Sequence, residues 1–411
     1  MRKIFIFIAF AGLCFACGDD DDSKSLKPVE PSEKTDTTSK DSTKTDTTKT
    51  DTTKTDTIPT DSSEVALADS FTVSIAYSGS TVTVSGETDS LKVSSNGAHL
   101  TIVSNSSRFM ELSISGGTTD GSLLVYSQKK FGIILNDVNI TNPKGPAINN
   151  QCGKSLYLTL NGTSMLSDGT TYGAAPTDST GTAIDQKGTL FSEGQIYFRG
   201  NGTLNVYGYG KNGIASDDYI IFESGNVSVK VDDTGSNGVK VNDGLEILGG
   251  TLTIDVAADG ARGIKNDAYM TVSGGTTTIT TNGDCLIETV GGVRDTTSCA
   301  GIKCDSVFTM TAGKLTTTST GDGGKGVNAL SFKLSGGTFL AQTTGSNDVG
   351  KPKAVKSDTG IVLSGGSFKA TCKKSWACDN GIETENPAAR VTIVGTPKTK
   401  TLEKRNMIVV F

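Results

Sequence analysis

The chain is short of the residues that carry most enzymatic chemistry and most globular packing. Its 411 residues include one histidine, His99, and one tryptophan, Trp376. A lone histidine in an irregular part of the chain reads as an ordinary surface or core residue, so signals for an enzyme are weak. Apolar residues make up only 35% of the sequence and aromatics 6%, which is low for a globular domain. The formal net charge of −6 argues against nucleic acid as a partner, and the basic and aromatic interleaving that single strands require is missing. Long apolar runs are missing too. The run from Ile4 to Phe15, behind Arg2 and Lys3, is too short for a bilayer and reads as a signal peptide over residues 1–17. In place of these residues the chain has 50 glycines with abundant Thr and Ser, a composition suited to a narrow solenoid that needs little core per residue.

Ala16 followed by Cys17 resembles the end of a bacterial lipoprotein signal, in which Cys17 becomes the lipidated first residue; Cys14 stands where that signal has leucine. Asp19 to Asp22 follow at once, as a surface-export signal or as plain spacer. Residues 18–64 form a tether. From Ser23 to Ser63 there is no aromatic residue, and the aliphatic ones are Leu26, Val29 and Ile58, too few to bury the area folding requires. About 40 such residues reach roughly 100 Å when stretched. The expected location is the outer membrane or cell surface, with the membrane touched by the lipid anchor only. The Asp-Thr-Thr triplets read either as O-glycan acceptors or as unmodified spacer.

From Gly213 onward the chain repeats a phrase: "GIASD", "GVKVN", "GIKND", "GIKCD" and "GVNAL" at Gly213, Gly238, Gly263, Gly301 and Gly326, then "AVKSD" at Ala354 and "GIETE" at Gly381. Successive starts lie 25, 25, 38, 25, 28 and 27 residues apart. A second glycine phrase, such as "GGTLTI" around Gly250 or "GGTTTI" around Gly275, follows at an offset of twelve, or eleven in the fifth unit. "AIDQK" at Ala183 and "AINNQ" at Ala147 read as earlier copies. Within a unit the apolar residues alternate, as in Leu252, Ile254 and Val256, which is the period of a strand with one buried face and excludes a helix. No unit of this length buries its own apolar face without neighbours. The expected fold is all-β, a parallel β-helix of about 25-residue coils forming one elongated domain over 65–411, a monomer.

Stacked coils turn equivalent positions into columns. In "GIKND" the isoleucine points inward, so the lysine and aspartate point outward. Lys240, Lys265, Lys303 and Lys356 then form one column beside Asp217, Asp267, Asp305 and Asp358. Like charges one strand apart repel. The column is either a solvated lattice of Lys–Asp pairs, or a track on which lysines take the carboxylates of a uronic-acid polymer. A second acidic column, Asp232, Asp233, Asp259, Asp284, Asp322 and Asp379, lies in the glycine-rich turns before each phrase. Carboxylates with free turn carbonyls suit Ca²⁺, so the aspartates of both columns are metal candidates, though aspartate is also an ordinary turn residue. Cys285 and Cys299 flank the extra residues of the 38-residue unit and Cys372 and Cys378 flank "KKSWA", so two disulfides are expected at these loop bases. Cys152 and Cys304 have no evident partner. Trp376, in the second loop, reads as a sugar-stacking platform or as a cap on the open end of the helix.

The motifs "LNDVNITNPKGPAI", "TSMLSDGTTY" and "TAIDQKGTLFSEGQIYFRGNGTLNV", followed by the "GIKND … SGGTTTI" coils, occur in an order that resembles one family over roughly Phe71 to Glu385. It is the family of bacterial cell-surface carbohydrate-binding proteins with a right-handed parallel β-helix, a fold shared with pectate lyases. The resemblance implies an acidic plant polysaccharide such as polygalacturonate, and cellulose, as partners; calcium on the helix as cofactor; and no demonstrated lyase activity. "GVNAL" departs from the pattern by lacking the acidic residue. A calcium-dependent lyase remains an alternative, needing an Arg or Lys base beside the metal; Arg262, Lys265 and Lys303 are available, but none is singled out from its repeats. A structural adhesin is the third reading.

Overall fold

The computed structural model describes residues 69–372, except 87, 88 and 298, together with the short strands Ile382–Glu383, Arg390–Val394 and Ile408–Val410. The expected signal peptide, Cys17, the tether, and the loop with Trp376, Cys378 and Asp379 lie outside the described residues.

The described strands wind into a parallel β-solenoid of about 11 turns, with coils about 25 residues apart. Each coil contributes to three sheets. In the first, Ile264 lies between Val239 and Ile302 of the neighbouring coils. In the second, Met270 lies between Leu245 and Phe308. In the third, Ile279 lies between Ile254 and Thr317. The expected alternation is seen in Thr251–Val256, where Leu252, Ile254 and Val256 are buried while Thr251 and Thr253 are exposed. Inside the tube, like stacks on like: Phe308 on Phe332 with ring centroids 4.9 Å apart, and Phe339 on Phe368 at 5.3 Å. Each aliphatic side chain so buried contributes about 1.5–3 kcal/mol, and the coils share one continuous core.

The two repeated glycines have different causes. Gly263 is so closely packed that a Cβ there would lie 2.2 Å from Ile279 Cγ2 of its own coil and 2.6 Å from the Gly301 carbonyl oxygen of the next. Gly275 has φ +68° in the turn leading into the third sheet, a conformation that disfavours a Cβ.

The first part of the body is less regular than the repeats, as the sequence suggests. Ser70–Ser78 and Thr81–Gly86 form an antiparallel hairpin, as do Leu91–Asn96 and Ala98–Ser104. One strand of each joins the parallel ladders, pairing with Phe109–Thr118 and Gly121–Ser127. The outer strands are largely exposed, so the hairpins end those ladders in polar antiparallel edges, as terminal units of a solenoid must.

Three expectations are corrected. Leu190, not Ile184, pairs with Ile148 and Ile214. "AINNQ" is therefore a true copy of the phrase, whereas "AIDQK" belongs to the excursion before the strand Gly188–Ser192. The extra residues of the 38-residue unit are not a clamped loop. They form an antiparallel hairpin, Leu286–Val290 with Val293–Thr297. Cys285 and Cys299 at its base are buried free thiols rather than a disulfide: the Cys299 thiol donates to the Gly283 carbonyl at 2.7 Å, and the backbone pairing of the hairpin itself closes the excursion. Cys372 is likewise a buried free thiol, 3.4 Å from the Pro352 carbonyl oxygen.

Candidate functional site

Backbone register aligns the four lysines. Lys240 pairs with Lys265, Lys265 with Lys303, Lys303 with Asn328, and Asn328 with Lys356. The aspartates stand one residue beyond each strand's paired core, at the corner that leads to the second sheet. Lys240 meets Asp267 of the next coil at 3.3 Å, Lys303 meets Asp305 at 3.3 Å and Lys356 meets Asp358 at 3.4 Å. These separations exceed the 2.7–2.9 Å or so of a tight charge-assisted hydrogen bond. Lys265 is not the exposed side chain the alternation suggests. It is 8% exposed, within a strand, Arg262–Asn266, that is buried at every residue. Lys240, Arg262 and Lys265 converge with Asn212 and Asn237 on a groove of about 260 Å³.

The wall of that groove is an asparagine ladder. Asn212 Oδ1 accepts the Asn237 backbone N–H at 3.1 Å, and Asn237 Oδ1 accepts that of Arg262 at 3.0 Å. The second acidic column continues the device in aspartate. Asp259 accepts the N–H of Asp284 at 2.8 Å, Asp284 that of Asp322 at 2.7 Å, and Asp322 that of Ser346 at 2.6 Å. Each carboxylate thus ties its turn to the next coil. Asp232 accepts its own neighbour's N–H, from Asp233, at 3.1 Å. Among the described residues, these turn aspartates are not brought together as a group of three carboxylates that could hold an ion.

Such a group forms elsewhere. Asp185, Glu193 and Asp217 have carboxylate oxygens within 4.8 Å of one another. Lys187 Nζ donates to Asp185 at 2.7 Å and to Asp217. Burial first, then the charges of Asp217 and Asp185, push the Glu193 carboxyl above its ordinary value. Of the three, the sequence reading had Asp217 alone. Asp185 lies in the excursion before the strand Gly188–Ser192, off any repeat position, and "AIDQK" imitates the phrase and so hides the register of Glu193. Counted from Leu190, Glu193 falls directly on the aspartate column.

That corner column continues through the earlier coils. Tyr126, Gln151, Glu193 and Asp217 each follow the strand residues that pair across successive coils, and Asn242 and Asp267 follow them. Asn242 Nδ2 donates to Asp217 at 3.2 Å. Next to this stretch lies a cleft of about 790 Å³, with Tyr126, Gln128, Gln151, Asp178, Asp185 and Glu193 among its walls. Its outer side is a small hairpin in the Pro and Thr-rich segment, closed by the bridge between Thr177 and Ala183.

Other singled-out residues have structural partners. His99 meets Ser122 Oγ at 3.0 Å and Asp120 at 3.2 Å. Asp168 of "TSMLSDGTTY" is buried, and burial raises its carboxyl. It accepts hydrogen bonds from Tyr172 at 2.7 Å and from the Tyr209 backbone at 2.6 Å, so it pins a loop to the next coil. A feature the sequence reading passed over is an aromatic ladder on the second sheet. Tyr157 stacks on Tyr197 at 4.9 Å, with the Arg199 guanidinium 4.4 Å above Tyr157. The paired "LYL" and "IYF" strings at Leu156 and Ile196 were its signal.

Comparison with known proteins gives two findings. The chain is similar to a solved structure of the polysaccharide lyase-like protein from C. thermocellum, a gadolinium derivative, with 20% identity, 77% of this chain and 98% of that chain covered, and a TM-score of 0.47. No curated protein matches. A family model matches residues 95–386, most of the solenoid and well over half of the chain. The chain therefore belongs to the carbohydrate-binding domain-containing protein family.

Proposed function

We propose that this carbohydrate-binding protein is non-catalytic and takes an acidic plant polysaccharide, polygalacturonate, along the ladder of Lys240, Lys265, Lys303 and Lys356. The observation that carries the reading is the coil-to-coil alignment of these cations, of which Lys240 and Lys303 stand 3.3 Å from their aspartates. The pairs are partly covered; fully exposed Lys–Asp pairs are worth about 0–1 kcal/mol each, and exchanging an aspartate for a uronate carboxylate keeps a carboxylate beside each lysine. A linear polymer then gains from several exchanges at once. Recurrence of the lysines from coil to coil suits binding better than catalysis, which needs one distinguished base.

Calcium fits the carboxylate trio better than the turn column. Asp185, Glu193 and Asp217 offer an oxygen-only donor set of the kind Ca²⁺ takes; the Glu193 carboxyl is raised by its burial first and then by the charges of Asp217 and Asp185, which Lys187 relieves in part. There the ion would replace the Lys187 ammonium as counter-charge. Anchoring through Cys17 and the tether of residues 18–64 would hold the solenoid at the outer membrane or cell surface; with Cys17→Ala, the protein is expected to leave the membrane fraction while its solenoid stays folded.

The test is affinity electrophoresis and calorimetry on polygalacturonate at rising salt, with and without chelator. Affinity is expected to fall with salt, as exposed electrostatic contacts do. Lys303→Ala should weaken binding several-fold and change the melting temperature little, because that side chain is less buried than Lys265. Lys265→Ala should lower both, because its buried stem packs in the strand. Retention of full affinity by Lys303→Ala together with Lys356→Ala would reduce the ladder to a structural lattice. A rise in absorbance from unsaturated uronate would overturn the non-catalytic reading.

A further inference from the structure

The cleft beside Tyr126 differs from the lysine groove in chemistry. Its walls carry Tyr126, the carboxamides of Gln128 and Gln151, and the carboxylates of Asp178, Asp185 and Glu193, and no Lys or Arg lines it. A uronate would meet three carboxylates and no cationic side chain on the walls. A sugar without charge would meet an aromatic ring for its C–H surface and both donors and acceptors for its hydroxyls.

The negative charge in the cleft is also largely engaged. Asp178 Oδ1 accepts from the Thr180 backbone and hydroxyl, at 2.8 and 2.7 Å, and from the Thr182 backbone at 3.0 Å. Asp185 is paired with Lys187, a role the proposed calcium ion would take over. A cationic sugar therefore gains less here than the bare count of carboxylates suggests.

The outer wall is built rather than loose. Asp178 N–H donates to the Thr182 carbonyl at 2.8 Å and Ile184 N–H to the Pro176 carbonyl at 2.9 Å. Asn149 and Gln151 on the sheet donate to the Asp185 carbonyl at 3.0 and 3.2 Å. A cleft of about 790 Å³ is within the usual size of preformed small-ligand sites, and its hairpin wall limits it to a short saccharide rather than a chain lying flat on the sheet.

We infer that the Tyr126 cleft is a second saccharide site, specific for a short neutral sugar segment. It rests on the carbohydrate-binding reading but not on the lysine ladder. The two sites share one side of the solenoid. Tyr126 and Asp267 are five coils apart on the same corner column, roughly 24 Å at about 4.8 Å per coil. A polymer with neutral branches on a uronate backbone offers ligands to both.

The experiment is calorimetry on the full chain with neutral trisaccharides (β-1,4-galactotriose, α-1,5-arabinotriose, cellotriose), with the fully deacetylated glucosamine trimer, and with hexagalacturonate. At least one neutral trisaccharide is expected to bind, equally well when hexagalacturonate is already saturating. Tyr126→Ala is expected to weaken that binding about tenfold, the scale of losing one aromatic contact, while Tyr126→Phe retains it and neither changes hexagalacturonate binding. Lys303→Ala should do the reverse. If no neutral trisaccharide binds, if Tyr126→Ala leaves binding intact, or if the glucosamine trimer binds more tightly than every neutral one, the inference is wrong. Loss of hexagalacturonate binding alone would overturn the lysine ladder and leave this site standing.

Discussion

At the scale of single residues, the solenoid interior takes polar side chains at positions that adjoining coils fill with apolar ones. Thr277 occupies the ladder position held by Leu252 and Leu315 in the adjoining coils. It is fully buried, and its hydroxyl has no hydrogen-bond partner. A buried hydroxyl left unpaired costs about 1–3 kcal/mol, and valine has nearly the same shape. Thr277→Val is therefore expected to stabilise the protein by about 1 kcal/mol, raising the melting temperature by a few degrees. Thr281, just as buried, donates to Ser319 Oγ at 3.0 Å, so Thr281→Val should lower it. A scanning-calorimetry pair in which both variants move the same way would show that hydroxyl satisfaction does not govern these sites.

At the scale of elements, the strands were legible because their period is local, while the excursions were not. Val227, Leu252 and Ile254 alternate with polar residues whatever the neighbouring coil does, and the spacing of Gly213, Gly238 and Gly263 fixes the stacking. Glu193 shows the limit. Its place on the acidic corner depends on which residue of a long excursion re-enters the sheet, and the string "AIDQK" imitates the re-entry. Cysteine spacing misled in a related way. Two cysteines flanking an insertion suggest a bridge, but the hairpin Leu286–Val290 with Val293–Thr297 closes through its own backbone pairing and leaves Cys285 and Cys299 as thiols. Burial pushes the Cys285 thiol up to about 11 from 9.0. At pH 8 its thiolate population is then about 100-fold below that of an ordinary cysteine. Iodoacetamide should label Cys285 slowly in the native protein, with a rate still climbing as pH approaches 11, and quickly in urea without reductant. Because the unfolded thiol ionises first, this group lowers stability as pH rises above 9, with the loss complete near the folded value. Failure to label in urea until a reductant is added would mean that a disulfide exists after all.

For the molecule as a whole, one-dimensional stacking converts a local substitution into a property of length. Lys240 to Lys356 spans four coil steps, roughly 19 Å, and Asn328 interrupts the cations one step before the end. A uronate oligomer should therefore bind more tightly with each added residue until it covers this span. Beyond it, only the statistical gain of sliding along the ladder remains. Asn328 is the informative position. Its Oδ1 is buried without a partner, so replacing it gives up no hydrogen bond at that oxygen, and its neighbours Lys303 and Lys356 each have an aspartate at hand. Asn328→Lys is expected to tighten oligogalacturonate binding several-fold and to steepen its salt dependence, since one more cation takes part. The preferred oligomer length should stay the same, because the ladder is filled rather than extended. Calorimetry against a length series at two salt concentrations reads all three effects. A variant that melts like the parent yet binds no better would mean that the polymer does not follow this ladder from coil to coil.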